Sequence, residues 1–215
     1  MKTIKAIIFD LDGTLANTLP LCIHAFRQSI EPLINRHVSD EEIIATFGPS
    51  EEGTIMNLAP NHFEQGLANY LHYYQLEHEM CSDSFEGITE LLYFLRENSI
   101  KIAMVTGKGE YSTDISLKYF NIKNFFEIIE TGSPNGPRKV DGIKSVLDKW
   151  PHIQKDEIIY VGDAISDIEA SRKAGIPVIA AAWAETAEPE LLRSHSPDKI
   201  FYSVADFTDW IYKVV

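Results

Sequence analysis

The sequence predicts an α/β protein built on a parallel sheet with helices on both faces, interrupted after its first strand by an all-helical insertion. Three observations predict it. Near-continuous apolar runs of strand length recur along the chain, as in strands buried on both faces. Segments with helical spacing of apolar residues lie between those runs. The alternation then fails between about residue 16 and residue 82, where only helical patterns occur.

The elements follow in order. The apolar runs are "AIIF" (6–9), "IKIAMV" (100–105), "FFEIIE" (125–130), "EIIYV" (157–161) and "IPVIAAA" (176–182). Ile88, Leu91, Leu92 and Leu95 mark one amphipathic helix, and Val140, Ile143, Val146, Leu147 and Trp150 another. Gly175 with Pro177 just beyond closes a helix over about 166–174 as a glycine C-cap. Within the insertion, Leu19, Cys22, Ile23, Phe26, Ile30, Leu33 and Ile34 form one stripe, expected to kink or end near Pro32. Phe63, Leu67, Tyr70, Leu71 and Tyr74 form a second, with Asn61 as the expected N-cap. A turn, "FGPSEEG", separates them. The expected division is therefore a Rossmann-like α/β core over 1–15 and 83–215 and a helical unit over 16–82.

The bulk properties narrow the function. At 215 residues, with 45% hydrophobic and 24% charged residues, the composition is that of a globular protein with a sizeable core. A net charge of -13 argues against binding a nucleic-acid backbone, which calls for clustered Lys and Arg. An anionic substrate would need local help from a metal or a few placed cations. Cys22 and Cys81 form no metal-type spacing and fit a reducing compartment. No secretory leader and no run of about 18 apolar residues is present, so a cytoplasmic protein without membrane association is expected. The insertion carries nine acidic residues against Arg27 and Arg36 and has no lysine, which reads as a solvated acidic surface. Five histidines, His24, His37, His62, His72 and His78, also lie there, but none has zinc-site spacing.

The chemistry sits at strand ends. "FDLDGT" places Asp10 and Asp12 just past an apolar run, about 7 Å apart along one face of an extended chain. Two such carboxylates repel, and burial raises the cost of both, so a cation, a shared proton or a reaction must hold them there. A second acidic pair, Asp163 and Asp167, follows the run 157–161 in "GDAISD". Both pairs fall where open α/β sheets bind ligands, beyond the carboxyl ends of strands. Together they make an oxygen-rich pocket suited to a hard divalent cation such as Mg²⁺. Thr106 and the amides around Gly107, in "VTGKGE", end another strand and can hold phosphate oxygens. Lys108, Arg138, Lys139 and Lys144 are the cations near strand ends, and spacing does not choose among them. The dinucleotide glycine fingerprint is absent.

Taken in order, "DLDGT", Thr106, a lysine opening a helix and "GDAISD" resemble the four motifs of the haloacid dehalogenase superfamily. A helical insert after the first motif is similar to the cap of its phosphoglycolate-phosphatase-like and β-phosphoglucomutase-like members. The resemblance implies a Mg²⁺-dependent phosphatase acting on a small phosphorylated metabolite. It implies Asp10 as the nucleophile that forms an aspartyl-phosphate, and Asp12 as the acid and then the base. Mg²⁺ would be held by Asp10, the Asp12 backbone carbonyl and Asp163, with Asp167 completing or orienting the site. Thr106, Gly107 and Lys139 would bind the phosphoryl group. Lys139 is chosen because "KVDGI" places it at a helix start, although the text "PRKVDG" lacks the Lys-Pro pair of many relatives; Lys108 is the reserve. Asp12 argues for phosphorus chemistry over dehalogenation, which needs no acid for its leaving group.

Two alternatives remain at this stage. A phosphosugar mutase holds a distal phosphate with a cationic cap residue, where this chain has Glu51 and Glu52. A non-enzymatic phospho-aspartate switch needs about 120 residues and no helical insert. The "FGPSEEG" loop is expected to face the site, with Ser50 and Glu51 selecting among substrates. The sequence names neither the substrate nor the oligomeric state.

Overall fold

Neighbouring residues of the first apolar run part company in the computed structural model, which describes residues 3–215. Ile7 and Phe9 enter one hydrophobic cluster, and Ala6 and Ile8 another, because successive side chains on a strand point to opposite faces. Strand β1 (Ala6–Phe9) is wholly buried and sits between β2 (Lys101–Val105) and β4 (Ile158–Gly162). With β3 (Ile128–Glu130), β5 (Val178–Ala181) and β6 (Lys199–Phe201) they form one parallel sheet ordered β3-β2-β1-β4-β5-β6. Sequence order runs outward in one direction from β1 through β2 to β3, then resumes on the other side at β4. The crevice between the carboxyl ends of β1 and β4 is thus the topological switch point, where such sheets bind ligands.

Between β1 and α5 (Ile88–Glu97), which leads into β2, the chain builds helices α1 (Leu19–Ile34), α2 (Asp40–Ile44), α3 (Glu51–Leu58) and α4 (Phe63–Leu76), and no strand. They have a core of their own, including Leu21, Cys22, Phe26, Ile30, Ile55, Tyr70 and Tyr74. The Phe26 and Tyr70 rings stack at 4.3 Å. Two hydrogen bonds reach from this unit to the rest of the protein at Ser116: Tyr74 Oη lies 2.7 Å and His78 Nε2 3.0 Å from its Oγ.

The remaining helices cover the sheet. Ile7, Phe9, Met104 and Val161 pack under α5 (Ile88–Glu97) and, through Phe207 and Ile211, under α10 (Val204–Ile211). Helix α6 (Glu110–Tyr119) follows β2 and adds Leu117 to that face. On the opposite face, Ile8, Val105 and Tyr160 meet α7 (Lys139–Lys149) and α8 (Ile165–Ala174). Gly142 lets α7 lie close, since a Cβ there would stand 2.8 Å from a Val105 methyl. A short α9 (Pro189–Ser194) precedes β6.

The predicted strands all form, with trimmed ends, and Gly175 caps α8 with φ +81°. Helix α1 runs through Pro32 and ends at Ile34, two residues past the proline, close to where it was expected to end. Proline costs it the hydrogen bond to the carbonyl of Gln28, a residue exposed to water, so the last turn survives. Asn61 is not the cap of α4; it lies in a 3₁₀ turn, Pro60–His62, and His62 precedes the helix. "FGPSEEG" is only half a turn, because α3 begins at Glu51. Helix α2 and strand β6 had no apolar period long enough to announce them; Ser39 caps α2 by accepting from the Glu42 N–H.

Candidate active site

Asp10 follows β1 directly, and its N–H donates to the Val161 carbonyl at 2.9 Å, so sheet pairing carries it to the switch point. Asp10 is 4% exposed, and its Oδ1 accepts from the Leu11 N–H at 2.7 Å. The chain then turns at Gly13, with φ +73°. A Cβ on Gly13 would stand 2.0 Å from Asp163 Oδ2, so the two acidic loops meet only because this residue is glycine. Asp163 follows β4, and Asp167 lies in the first turn of α8, where it accepts from the Ala164 N–H at 3.0 Å. Gly162 makes room for it in turn, as a Cβ there would lie 2.5 Å from the Asp167 carboxylate carbon.

Asp10, Asp163 and Asp167 each offer an oxygen, and these atoms lie within 4.8 Å of one another. Lys139, the first residue of α7, places its ammonium against both Asp10 Oδ2 and Asp167 Oδ1. The Tyr160 hydroxyl lies 2.7 Å from the Val105 carbonyl oxygen and 3.0 Å from Asp167 Oδ1, two acceptors for its single proton. Asp167 is therefore fully engaged. Among the described residues, Asp163 has only the Thr14 hydroxyl at 3.5 Å and is open to another partner.

Electrostatics follow from this crowding. Burial pushes the Asp10 carboxyl up to about 6, with Asp167 and Asp12 adding to the rise and Lys139 opposing it. Burial, then Asp167 and Asp10, hold Asp163 well above the usual carboxylate range. Burial disfavours the Lys139 ammonium, but Asp10 and Asp167 outweigh it and keep the residue above the ordinary lysine range. Three carboxylates against one lysine leave negative charge that a cation can offset. The all-oxygen donor set of Asp10 and Asp163 suits a hard divalent ion.

Asp12 points away from this cluster toward the insertion. Its Oδ1 accepts from the Thr18 hydroxyl and lies 3.3 Å from Lys108 Nζ. Lys108 is buried, donates to Cys22 Sγ at 3.0 Å and sits 4.4 Å above the Tyr74 ring. Thr106 and Gly107 end β2 beside the cluster, and the Thr106 hydroxyl accepts from the Lys108 N–H at 3.2 Å.

These residues line one cavity of about 550 Å³. Its floor carries Asp10, Asp12, Thr106, Gly107, Lys139 and Asp163, and the insertion supplies a wall that includes Leu19, Cys22, Phe26, Phe47 and Tyr70. Of the cations that spacing left open, Lys139 reaches Asp10 and Asp167, while Lys108 lines the same cavity and reaches Asp12. Arg138 is engaged with Glu130 and the Thr131 carbonyl, and Lys144 is exposed on the outer side of α7. Glu51 lines the cavity but spends its carboxylate on Gly109 and Ser112. Ser50 does not line it; its hydroxyl donates to Glu52. Thr18 and Tyr160 went unread in the sequence. Tyr160 hides in an apolar strand, and Thr18 is an ordinary polar residue ahead of a helix; only the partners give them roles.

Comparison with known proteins finds relatives that match nearly the whole chain. A family model described as haloacid dehalogenase-like hydrolase matches residues 7–181. The pyrophosphatase PpaX of Bacillus pumilus is 30% identical over 210 residues, covering 95% of both chains. The pyrophosphatase PpaX of Halalkalibacterium halodurans is 29% identical and covers 96% of both. Among solved structures, a haloacid dehalogenase-like family hydrolase from Streptococcus pneumoniae superposes with a TM-score of 0.76 at 27% identity, covering 96% of this chain and 98% of that one.

Proposed function

Because the chain belongs to the haloacid dehalogenase-like hydrolases, we propose that it is a Mg²⁺-dependent phosphatase of a small phosphorylated compound, with Asp10 as its nucleophile. The observation that carries the reading is the meeting of Asp10, Asp163, Asp167 and Lys139 at the switch point, beside the Thr106–Gly107 turn.

An oxygen of Asp10 attacks phosphorus, and the bond from phosphorus to the leaving oxygen breaks as the aspartyl-phosphate bond forms. Asp12, on the insertion side of the cavity, gives its proton to the leaving oxygen. It then takes one from the water that hydrolyses the aspartyl-phosphate. Thr106, Gly107 and Lys139 hold the phosphoryl oxygens. Asp10, Asp163 and the Asp12 backbone carbonyl would hold Mg²⁺, which when bound offsets the charge of the carboxylates and the phosphoryl group. Asp167, with its oxygens engaged, orients Lys139 and the turn at 163–164. The aspartate pair of the first motif is then tolerable, since one carboxylate attacks while the other carries a proton.

Hydrolysis is favoured over phosphosugar transfer by the wall above the reacting group. Among the lining residues that the insertion contributes, none is a cation; the cavity's cations, Lys108, Arg138, Lys139 and Lys173, all come from the core. The test is phosphate release from p-nitrophenyl phosphate, inorganic pyrophosphate and a set of sugar phosphates, with and without Mg²⁺. Pyrophosphate is included because of the activity for which the relatives are named. Turnover is expected only with the metal and should fall by about 10³-fold or more in Asp10→Asn. Release that survives that substitution would remove Asp10 from the reaction.

A further inference from the structure

Helix α6 begins without a cap of its own. The residue at its N-cap, Gly109, has no side chain to accept from the free N–H groups of the first turn. The acceptor comes instead from the insertion. Glu51, first residue of α3 and 5% exposed, takes the Gly109 N–H at 2.7 Å on one carboxylate oxygen and the Ser112 hydroxyl on the other. The fit is close on both sides: a Cβ on Gly109 would stand 2.7 Å from the Glu51 carboxylate carbon. The same stretch of the insertion grips a second loop. The Ser50 N–H donates to the Ser133 carbonyl at 2.9 Å, and a Cβ on Gly53 would lie 2.8 Å from the Pro134 carbonyl oxygen. The first loop carries Thr106 and Gly107, and the second runs into Lys139.

We propose that Glu51 is a positioning residue, an interlock whose one contact both seats the insertion over the cavity and fixes the Thr106–Gly109 turn. The inference rests on the reading of that turn as phosphate-binding. A carboxylate at a helix N-terminus is favoured by the free N–H groups and the helix dipole. If the insertion lifts away, Glu51 leaves with it, and the turn loses its anchor in the same event. Closure and order of the phosphate-binding turn are then one equilibrium. Apparent affinity for any ester falls as the seated fraction falls, whatever the leaving group. Both oxygens of Glu51 are engaged, so it acts on every substrate alike and does not select among them.

The test uses the full chain with Mg²⁺ and compares wild type with Glu51→Ala, Glu51→Gln, Ser112→Ala and the double variant Glu51→Ala/Ser112→Ala. Two measurements are made: KM and kcat for p-nitrophenyl phosphate and inorganic pyrophosphate, and hydrogen exchange at the Gly109 amide. Glu51→Ala should raise KM about tenfold to a hundredfold, by the same factor for both substrates, with kcat falling much less. Glu51→Gln, which keeps an acceptor oxygen, should recover part of the loss. The double variant should be no worse than Glu51→Ala alone, since both changes remove one contact. Exchange at Gly109 should quicken in step with KM. The proposal is overturned by faster exchange with unchanged KM, which would make Glu51 a plain helix cap, or by unequal factors for the two substrates, which would make it a selector. Should Glu51→Ala fail to fold, Glu51→Gln and Ser112→Ala carry the comparison. A wild type that turns over no ester sinks the phosphatase reading alone. Exchange at Gly109 then decides the interlock: quickened together with the amides of α3 in the variants, it stands; unchanged, it falls.

Discussion

A methyl group on Gly13 would collide with Asp163, and that near-contact is how two aspartate loops far apart in the chain come to lie against each other. The crowding has a consequence for stability. Burial lifts Asp10 to about 6 in the metal-free protein, above its value in an unfolded chain. Such a group contributes stability that is fully present below the unfolded carboxyl pKa, near 4, and lost as pH rises through about 6. Asp163 is shifted in the same direction and adds to the effect. In EDTA, the thermal midpoint is therefore expected to rise as pH is lowered from 7.5 to 5.5. Adding Mg²⁺ should raise it more at pH 7.5 than at 5.5, because the ion replaces the proton as the partner of these carboxylates. Differential scanning calorimetry decides this, and an equal Mg²⁺ effect at both pH values would count against the cluster as the metal site.

At the scale of elements, the ends of β1, β2 and β4 each deliver part of the site. Strand β4 does this twice, through Asp163 at its end and through the Tyr160 hydroxyl beneath Asp167. Tyr160→Phe keeps the ring in the core and removes only the hydroxyl. The expected result is a loss of about 1 kcal/mol of stability, a drop of about 2–4 °C in the midpoint, with activity about tenfold lower. Activity unchanged at lowered stability would limit Tyr160 to packing. Strands β1 to β5 and helices α1, α4, α5, α7 and α8 were legible because burial on two faces demands long apolar runs and most of these helices carry a 3.6-residue stripe; α6 was not, since it buries Ser112, Thr113 and Ser116 beside Leu117. Helix α2 and strand β6, with five and three residues, are too short for a period to show. The start of α3 was hidden for another reason. Glu51 at a helix N-terminus looks like any acidic first turn, and its partners, Gly109 and Ser112, lie on another helix.

For the whole molecule the dominant quantity is charge. A net charge of -13 surrounds a site that receives an anion. Long-range repulsion slows approach, and salt screens it over a Debye length of about 10 Å at 0.1 M. At saturating Mg²⁺, kcat/KM for an anionic ester is thus expected to rise as ionic strength goes from 10 to 100 mM with an inert salt, by roughly two- to fivefold. A fall would show that the local cations, not the net charge, govern encounter.

By itself, the sequence determined the layered α/β class, the helical insertion, and the residue types that meet at the strand ends. Those depend on local periodicity and on chemistry so costly to bury that its presence implies a use. Only the tertiary structure decided that Lys139 meets Asp10 and Asp167 while Lys108 meets Asp12, that Asp167 is engaged while Asp163 stays open, and that Glu51 turns to a helix end. Each of those choices is made by distance between segments far apart in the chain. The sheet order β3-β2-β1-β4-β5-β6 and the seating of α3 against α6, and not any local pattern, set those distances.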